Sequence, residues 1–250
     1  MTSIRVKSDD VFADGTIFLD ESSSHHLKTV LRIRLGEKIK LIDGVGHKRT
    51  VVVDKIEKSR VVCFPDGDAE HFSEPERKVI LFQCVAKHVG MDWLIEKAVE
   101  IGTAEIVPIV SAHSVVRITP GVRQERWEKI ADSALCQCAG AWATRISVPL
   151  TWKQAVERMK ETNAFIGVTH NSSLRLLDAV LKADVETNKN IGWIVGPEGD
   201  FSETEIDSAV NDANATPVTL GNRIMRTETA AVYGLSVITS TSVLFSNRGI

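Results

Sequence analysis

The sequence lacks the common glycine-rich fingerprints of nucleotide-binding and hydrolytic enzymes. No apolar run is followed by the GxGxxG loop of a dinucleotide-binding fold, and neither a GxxxxGKS/T phosphate loop nor a GxSxG nucleophile turn occurs. These absences exclude the usual glycine-rich classes of phosphate-binding and nucleophilic enzymes.

Metal-ligand spacing and long apolar runs are missing as well. No apolar run approaches the roughly 18 residues of a membrane span, and acidic residues interrupt the first twelve residues, where a signal peptide would be apolar. We expect a cytoplasmic protein without membrane contact. Its cysteines match no CxxC pair and do not group with the histidines, so we expect reduced thiols and no metal. The four cysteines are Cys63, Cys84, Cys136 and Cys138.

The composition is that of an ordinary globular protein, with 43% hydrophobic and 25% charged residues in 250. The net charge of −3 hides a basic segment, because Lys28 to Arg60 holds ten lysines and arginines against four acids. Such a surface attracts phosphate through counterion release, or is the solvated face of a small β domain. Charge alone leaves both interpretations open.

The first 70 residues resemble a small β-barrel. The segment 25–34 fits a short helix with Leu27, Val30, Leu31 and Arg34 on one stripe. The charged segment 65–77, with two prolines, is the predicted linker, so we expect domains at 1–70 and 76–250. The strands of the first domain are predicted at 16–19, 38–43, 50–56 and 59–64.

Beyond the linker, nearly continuous apolar runs alternate with amphipathic helices. This pattern predicts an open α/β sheet of parallel strands covered by helices on both faces. Ligands of such sheets bind beyond the carboxyl ends of the strands. The strands are predicted at 79–85, 105–110, 164–169, 191–196 and 217–220.

Two of these strands are followed by unusual loops. Gly196-Pro197-Glu198-Gly199-Asp200-Phe201 precedes Ser202 and Glu205, whose spacing predicts a capping box at the next helix. The second loop is LGNRIMRTETAA at 220–231, in which Thr227 is the predicted cap of the last helix. That helix is apolar nearly all round and must be buried, either within one subunit or against a second.

The two loops together resemble the signature of a known family. GPEG-x-FS-x-x-E followed by LG-x-RI-x-RTETA is similar to the SPOUT methyltransferases, and specifically to the ribosomal RNA uridine-N3 methyltransferase family RsmE. The similarity extends to 83–109 and to the PUA-like segment 25–46, so it covers nearly the whole chain.

The resemblance implies a particular architecture and reaction. The C-terminal α/β domain would contain a deep trefoil knot, and the N-terminal domain would be a PUA-like β-barrel that binds RNA. The family forms homodimers, uses S-adenosyl-L-methionine, and methylates N3 of a uridine in 16S ribosomal RNA of the small ribosomal subunit.

The site residues follow from the matched motifs and from the chemistry of the loops. Arg226 is a candidate for stabilising charge on uracil, or pairs with an acid to brace the loops; Glu198 and Glu228 are candidates for the general base, or helix caps. The predicted cofactor residues are Thr169, Gly196, Glu198, Gly199, Leu220, Gly221, Ile224, Met225 and Thr227. The predicted RNA contacts are His25, His26, Lys28, Arg32, Arg34, Lys87 and Arg223.

Four positions depart from the family pattern. Asp200 stands where the family usually has a third glycine, Asn222 and Met225 replace proline and leucine, and His113 replaces arginine. Two other functions stay open: a SPOUT enzyme that methylates a ribose 2′-hydroxyl, and a non-catalytic RNA-binding assembly factor.

Overall fold

The structure is a computed structural model in which the chain forms two compact units. The first unit comprises Met1–Pro75 and Asp132–Ala143, and the second comprises Glu76–Ala131 and Thr144–Ile250. The described residues are 1–86, 88–114, 122–170, 174–186 and 190–246.

The first unit is built on a six-stranded sheet. Its strands follow the order β1-β3-β4-β5-β2, with β6 paired to β4; β1 and β3 are parallel and the remaining pairs antiparallel. Alternate side chains of the central strands, such as Ile39, Leu41, Val51 and Val53, are fully buried in one core. The strands are β1 Thr2–Arg5, β2 Ile17–Phe18, β3 Lys38–Ile42, β4 His47–Ile56, β5 Val61–Pro65 and β6 Glu70–His71.

The helix predicted over 25–34 is wrong in its bounds and in its stripe. Helix α1 is Ser8–Phe12 and helix α2 is Glu21–His25. The Asp20 carboxylate caps the start of α2 by accepting from the Ser23 amide. Helix α2 then continues into a π-helical turn, His26–Val30. The chain then leaves the helix because Arg32 adopts a φ of +50°. Only Leu27 of the predicted stripe is buried, whereas Val30, Leu31 and Arg34 are exposed.

The segment Asp132–Ala143 belongs to the first unit, although the sequence suggested the second domain for it. Backbone contacts explain its place. The Gly46 amide donates to the Ala141 carbonyl at 3.0 Å, and the Trp142 indole donates to the Phe72 carbonyl at 3.1 Å.

The second unit is the α/β domain that the apolar runs predict. All seven strands are parallel, in the order β10-β8-β7-β12-β11-β13 with β9 paired to β8. Strands β7 and β12 are buried along their whole length, as expected of strands covered on both faces. The strands are β7 Val79–Cys84, β8 Glu105–Val110, β9 Arg145–Ile146, β10 Leu150–Thr151, β11 Asn163–Gly167, β12 Ile191–Val195 and β13 Thr216–Val218.

The last helix returns from the edge of this sheet to its centre. It follows the edge strand β13 and packs on α3, α6, β7 and β12. In the described part of the chain, no helix is both long and apolar enough to cross a membrane. The helices are α3 His88–Ile101, α4 Val122–Cys138, α5 Trp152–Met159, α6 Leu176–Glu186, α7 Glu203–Ala213 and α8 Thr227–Ser246.

Helix α8 is buried on one side and exposed on the other. Ala231, Leu235 and Ile238 are fully buried, and Gly234 lies so close to Trp193 that a Cβ there would be 2.3 Å from the indole. Tyr233 on the opposite side is 44% exposed. The expected burial is therefore achieved on only one face within this chain.

Candidate active site

A pocket of about 890 Å³ lies at the carboxyl ends of β11, β12 and β13. This is the edge at which open parallel sheets bind their ligands. Its wall consists mainly of three segments, 167–170, 195–200 and 219–228, which follow those three strands. Strand order brings them together, because β11 lies between β12 and β13.

The loop after β12 is fixed by its connection to α7. The predicted capping box is confirmed: the Ser202 hydroxyl accepts from the Glu205 amide, and the Glu205 carboxylate accepts from the Ser202 amide at 2.9 Å. The second carboxylate oxygen of Glu205 accepts from the Ala112 amide at 2.8 Å. The start of α7 is thereby fastened to the loop after β8, and this holds the 196–201 loop above the sheet.

Asp200 adopts a left-handed backbone conformation within this loop, with a φ of +61°. Glycine takes this conformation without strain, and aspartate is one of the few other residues that adopt it regularly. The Asp200 carboxylate accepts from the Thr169 hydroxyl and, at 2.8 Å, from the Phe201 amide. Its carbonyl is 3.0 Å from Nδ1 of His113, the other departure in this region.

The loop after β13 presents an apolar side chain toward the pocket opening. Gly221 allows the sharp turn with a φ of +122°, and the Thr219 hydroxyl accepts from the Gly221 amide. Ile224 lines the pocket and is nevertheless 83% exposed. An apolar side chain so placed is available to cover a flat apolar ligand.

Thr227 connects the two loops through its side chain. Its hydroxyl donates to the Gly196 carbonyl at 2.6 Å and accepts from Nε2 of Gln83 at 2.9 Å. The prediction that Thr227 caps α8 is wrong, because Thr227 is already the first helical residue. Its hydroxyl instead joins the ends of β7 and β12 to the start of α8.

Besides Asp200, four charged side chains of the predicted site line the same pocket: Glu198, Arg223, Arg226 and Glu228. None of the four forms an ion pair with another described residue. Arg223 and Arg226 are exposed at the pocket wall. The interpretation of Arg226 as a brace paired with Glu198 or Glu228 is therefore not supported. Both guanidinium groups remain available to a ligand.

Comparison with known proteins decides what kind of site this is. A family model described as an RNA methyltransferase domain matches residues 73–239, and one described as an RNA methyltransferase PUA domain matches residues 19–66. The chain belongs to the RNA methyltransferase domain family. The resemblance inferred from the two loops is confirmed at this level, as is the α/β class with a PUA domain.

Relatives of this RNA methyltransferase carry a more specific name. Ribosomal RNA small subunit methyltransferase E of Bacillus subtilis (strain 168) is 27% identical over 220 residues, which is 86% of each chain. The protein of that name from Mycobacterium tuberculosis (strain CDC 1551 / Oshkosh) is 28% identical over 234 residues, covering 88% of this chain and 84% of the relative.

Solved structures of similar fold contain the cofactor. A ribosomal RNA small subunit methyltransferase E from Neisseria gonorrhoeae, bound to S-adenosyl methionine, superposes with a TM-score of 0.84 at 28% identity over 96% of this chain and 98% of that one. A methyltransferase of Legionella pneumophila in complex with the same cofactor gives 0.84 at 26% identity, with the same coverage.

The pocket of this RNA methyltransferase brings together most of the predicted site. Of the predicted cofactor residues, all except Gly199 line it, and so do Arg223, Arg226 and Glu228. Gly199 faces His113 instead, whose Cβ lies 3.3 Å from where a Cβ of Gly199 would be.

The remaining predicted RNA contacts lie in the first unit, except Lys87, which lies outside the described residues. His25 and His26 are exposed where the π-helical turn begins, and Arg32 and Arg34 are exposed just after it ends. The Lys28 ammonium donates to the Lys58 carbonyl at 2.8 Å and, more weakly, to that of Glu57, so it also braces the fold.

Several lining residues were missed from the sequence. Trp193 and Val195 line the pocket from within β12, and Asp200 and His170 line it from the loops. Asp200 had a usable signal, because its departure from the family's glycine falls inside a matched motif. Trp193 had none, since an aromatic residue in a buried strand is normally core.

A second pocket, of about 700 Å³, does not carry a comparable site. Its central carboxylate, Glu105, accepts from Arg145 at 2.7 Å and from Arg158 at 3.1 Å. These charges satisfy one another, which is typical of a structural network.

Proposed function

We propose that this RNA methyltransferase transfers the methyl group of S-adenosyl-L-methionine to N3 of a uridine in 16S ribosomal RNA. The observation that carries the proposal is the pocket at the ends of β11 to β13, where two loops meet and present two arginines that pair with no described acid. The names of the relatives and the cofactor bound in the similar structures support it.

The residues of the pocket fit this cofactor. Ile224, Leu220 and Trp193 line the pocket and provide apolar surface for adenine, while main-chain groups of 196–200 and 219–225 are available to its polar edge. The volume of about 890 Å³ is within the range of cofactor sites. When bound, S-adenosylmethionine supplies a methyl group on a positively charged sulfur.

Arg226 is the proposed stabiliser of the reaction. The N3–H of uridine is a weakly acidic imide, so methylation requires that the N3 lone pair be freed and that negative charge on the neighbouring carbonyl oxygens be stabilised. The Arg226 guanidinium is exposed at the pocket wall, where it can donate to such an oxygen. Arg223, on the same loop, would hold the RNA backbone.

Glu198 and Glu228 are the proposed acceptors of the N3 proton. Both line the pocket, and the carboxylate of Glu228 lies beside Gly90 of α3, with Oε1 3.8 Å from where a Cβ of Gly90 would be. A carboxylate within hydrogen-bond reach of the N3–H can act as its general base.

The finer features of the architecture belong to the same proposal. The return of α8 from β13 to the centre of the sheet supports a deep trefoil knot, and the six-stranded, mainly antiparallel sheet of the first unit supports a PUA-like β-barrel. The exposed His25, His26, Arg32 and Arg34 would contact RNA, together with Lys28, Lys87 and Arg223. A homodimer and a cytoplasmic location complete the proposal.

The reaction is tested with Arg226→Ala. We expect the variant to lose at least about a hundredfold in methyl transfer, as removal of an oxyanion donor does, while the Kd for S-adenosylmethionine measured by calorimetry stays within about twofold. Arg126→Ala is the matched control and should keep full activity. Arg126 is an exposed arginine that pairs with Asp92 and lies outside the pocket.

The product identifies the acceptor atom. Nucleoside digestion and mass spectrometry of the modified 16S RNA should give N3-methyluridine. A 2′-O-methylated nucleoside would contradict the proposed acceptor, and normal turnover by Arg226→Ala would contradict the role of that arginine.

A further inference from the structure

We propose that Asp200 gives this enzyme's cofactor pocket a charge preference, favouring the cationic methyl donor over the neutral product. The inference rests on the proposed function and adds a specificity-determining residue to it. Asp200 departs from the family signature by introducing a charge into the pocket lining. The other replacements in the lining, Asn222 and Met225, are neutral.

The Asp200 side chain is held in place by the protein. The Thr169 hydroxyl donates to Oδ2 and the Phe201 amide donates to Oδ1 at 2.8 Å. A carboxylate oxygen can accept more than one hydrogen bond, so both oxygens of Asp200 can still accept a bond from a ligand in the pocket. Both Asp200 and Thr169 line the pocket wall.

The Asp200 carboxylate has no cationic partner among the described residues. In the described ranges no lysine, arginine or histidine forms an ion pair with Asp200; His113 contacts its main-chain carbonyl rather than its carboxylate. Among the described residues that line the pocket, Asp200, Glu198 and Glu228 provide three carboxylates, and Arg223 and Arg226 provide two guanidinium groups. Replacing Asp200 by the usual glycine would remove one of these three negative charges.

The two ligands of the site differ in charge. At neutral pH S-adenosylmethionine carries one net positive charge, because its sulfonium and ammonium groups outnumber its carboxylate. S-adenosylhomocysteine, which remains after the methyl group has left, is a neutral zwitterion. A fixed carboxylate attracts the cationic S-adenosylmethionine several times more strongly in a partly enclosed pocket than in bulk water. It has little net attraction for the neutral S-adenosylhomocysteine.

Calorimetric Kd values for three ligands test the inference. The ligands are S-adenosylmethionine, S-adenosylhomocysteine and sinefungin, in which an amine-bearing carbon replaces the methylsulfonium, so that a positive charge is present without a transferable methyl group. We expect Asp200→Asn to weaken the two cationic ligands by at least about fivefold and to change S-adenosylhomocysteine by less than about twofold.

Two further variants separate charge from structure. Asp200→Gly has the residue that best tolerates a φ of +61° and should show the same selective loss, which keeps the test valid if the asparagine variant folds poorly. Asp207→Asn removes an equal charge from an exposed position on α7 outside the pocket and should change none of the three affinities.

An equal loss for all three ligands would overturn the inference, because it would mean that Asp200 only braces the loop. Unchanged affinities in both Asp200 variants would overturn it as well. Failure of the unmodified enzyme to bind any of the three is a different result, since it would remove the proposed function itself.

Discussion

At the scale of single residues, the Thr227 side chain makes two hydrogen bonds that can be tested by substitution. Its hydroxyl satisfies the Gly196 carbonyl and Nε2 of Gln83, and both Thr227 and Gln83 are buried. Thr227→Val keeps the shape of the side chain, removes the hydroxyl bond to the Gly196 carbonyl, and leaves Nε2 of Gln83 with only its bond to the Cys84 carbonyl. We expect the free energy of unfolding to fall by about 1–3 kcal/mol and the affinity for S-adenosylmethionine to weaken.

Thr227→Ser is the matched control, because it retains the hydroxyl and removes only a methyl group. Urea unfolding and calorimetry should place it close to the unmodified protein in both measurements. If the valine and serine variants behave alike, the hydroxyl does not hold the two loops together.

The contacts of Thr227 also mark the limit of what the sequence predicts about the site. The glycine loops were predictable, since their residue types demand tight turns after apolar strands. The bond from Thr227 to Gly196 joins residues 31 apart, and the bond to Gln83 joins residues 144 apart. Such pairs depend on the strand order, which puts β12 beside β7 and which no local pattern encodes.

At the scale of elements, the C-terminus of helix α4 carries a residue that does not favour its backbone conformation. The Gly140 amide donates to the Leu135 carbonyl at 3.1 Å and the Ala139 amide to the Cys136 carbonyl at 3.3 Å, which is the Schellman arrangement. The left-handed position of this motif, usually glycine, is occupied by Ala139 with a φ of +53°.

We expect Ala139→Gly to stabilise the protein by about 0.5–1 kcal/mol, because relief of the left-handed strain exceeds the added entropy of the unfolded chain. The midpoint of urea unfolding measures this. Ser133→Gly, at an exposed position inside the same helix, is the control and should lower the midpoint. A lower midpoint for Ala139→Gly would contradict the strain argument.

Elements differ in how well the sequence predicts them, for identifiable reasons. Five of the seven strands of the second unit were predicted to within a residue or two, because parallel strands buried on both faces form uninterrupted apolar runs. The two-residue strands β9 and β10 are too short to form such a run and were missed. The helix at 25–34 was misplaced because its apolar spacing continues past Arg32, where the chain turns left-handed without a glycine to signal it. The start at Glu21 was missed because 21–24 is polar and serine-rich.

At the scale of the whole molecule, an exposed apolar surface on the second unit supports the proposed homodimer. Helices α6 and α8 pack together, and each leaves large apolar side chains exposed: Leu177 and Leu181 on α6, and Tyr233 on α8. A second copy of the chain would cover them.

Tyr233→Arg should therefore convert a dimer into a monomer in sedimentation velocity, since an arginine at this surface would be buried without a partner. Val148→Arg adds the same charge at another exposed apolar residue of the second unit and should leave the dimer intact. The surface would be ruled out as the interface if Tyr233→Arg sedimented as a dimer.

The close contact of Gly234 with Trp193 has a consequence for synthesis. Trp193 lines the pocket from β12, and α8, which follows both pocket loops in the chain, covers its indole. While a ribosome is still translating 227–246, both loops have been synthesised, but α8 does not yet cover Trp193. The Thr227 hydroxyl has also not yet formed its bond to the loop after β12. We expect nascent chains to acquire cofactor affinity only after α8 has emerged, so that a truncated product is unable to sequester the methyl donor.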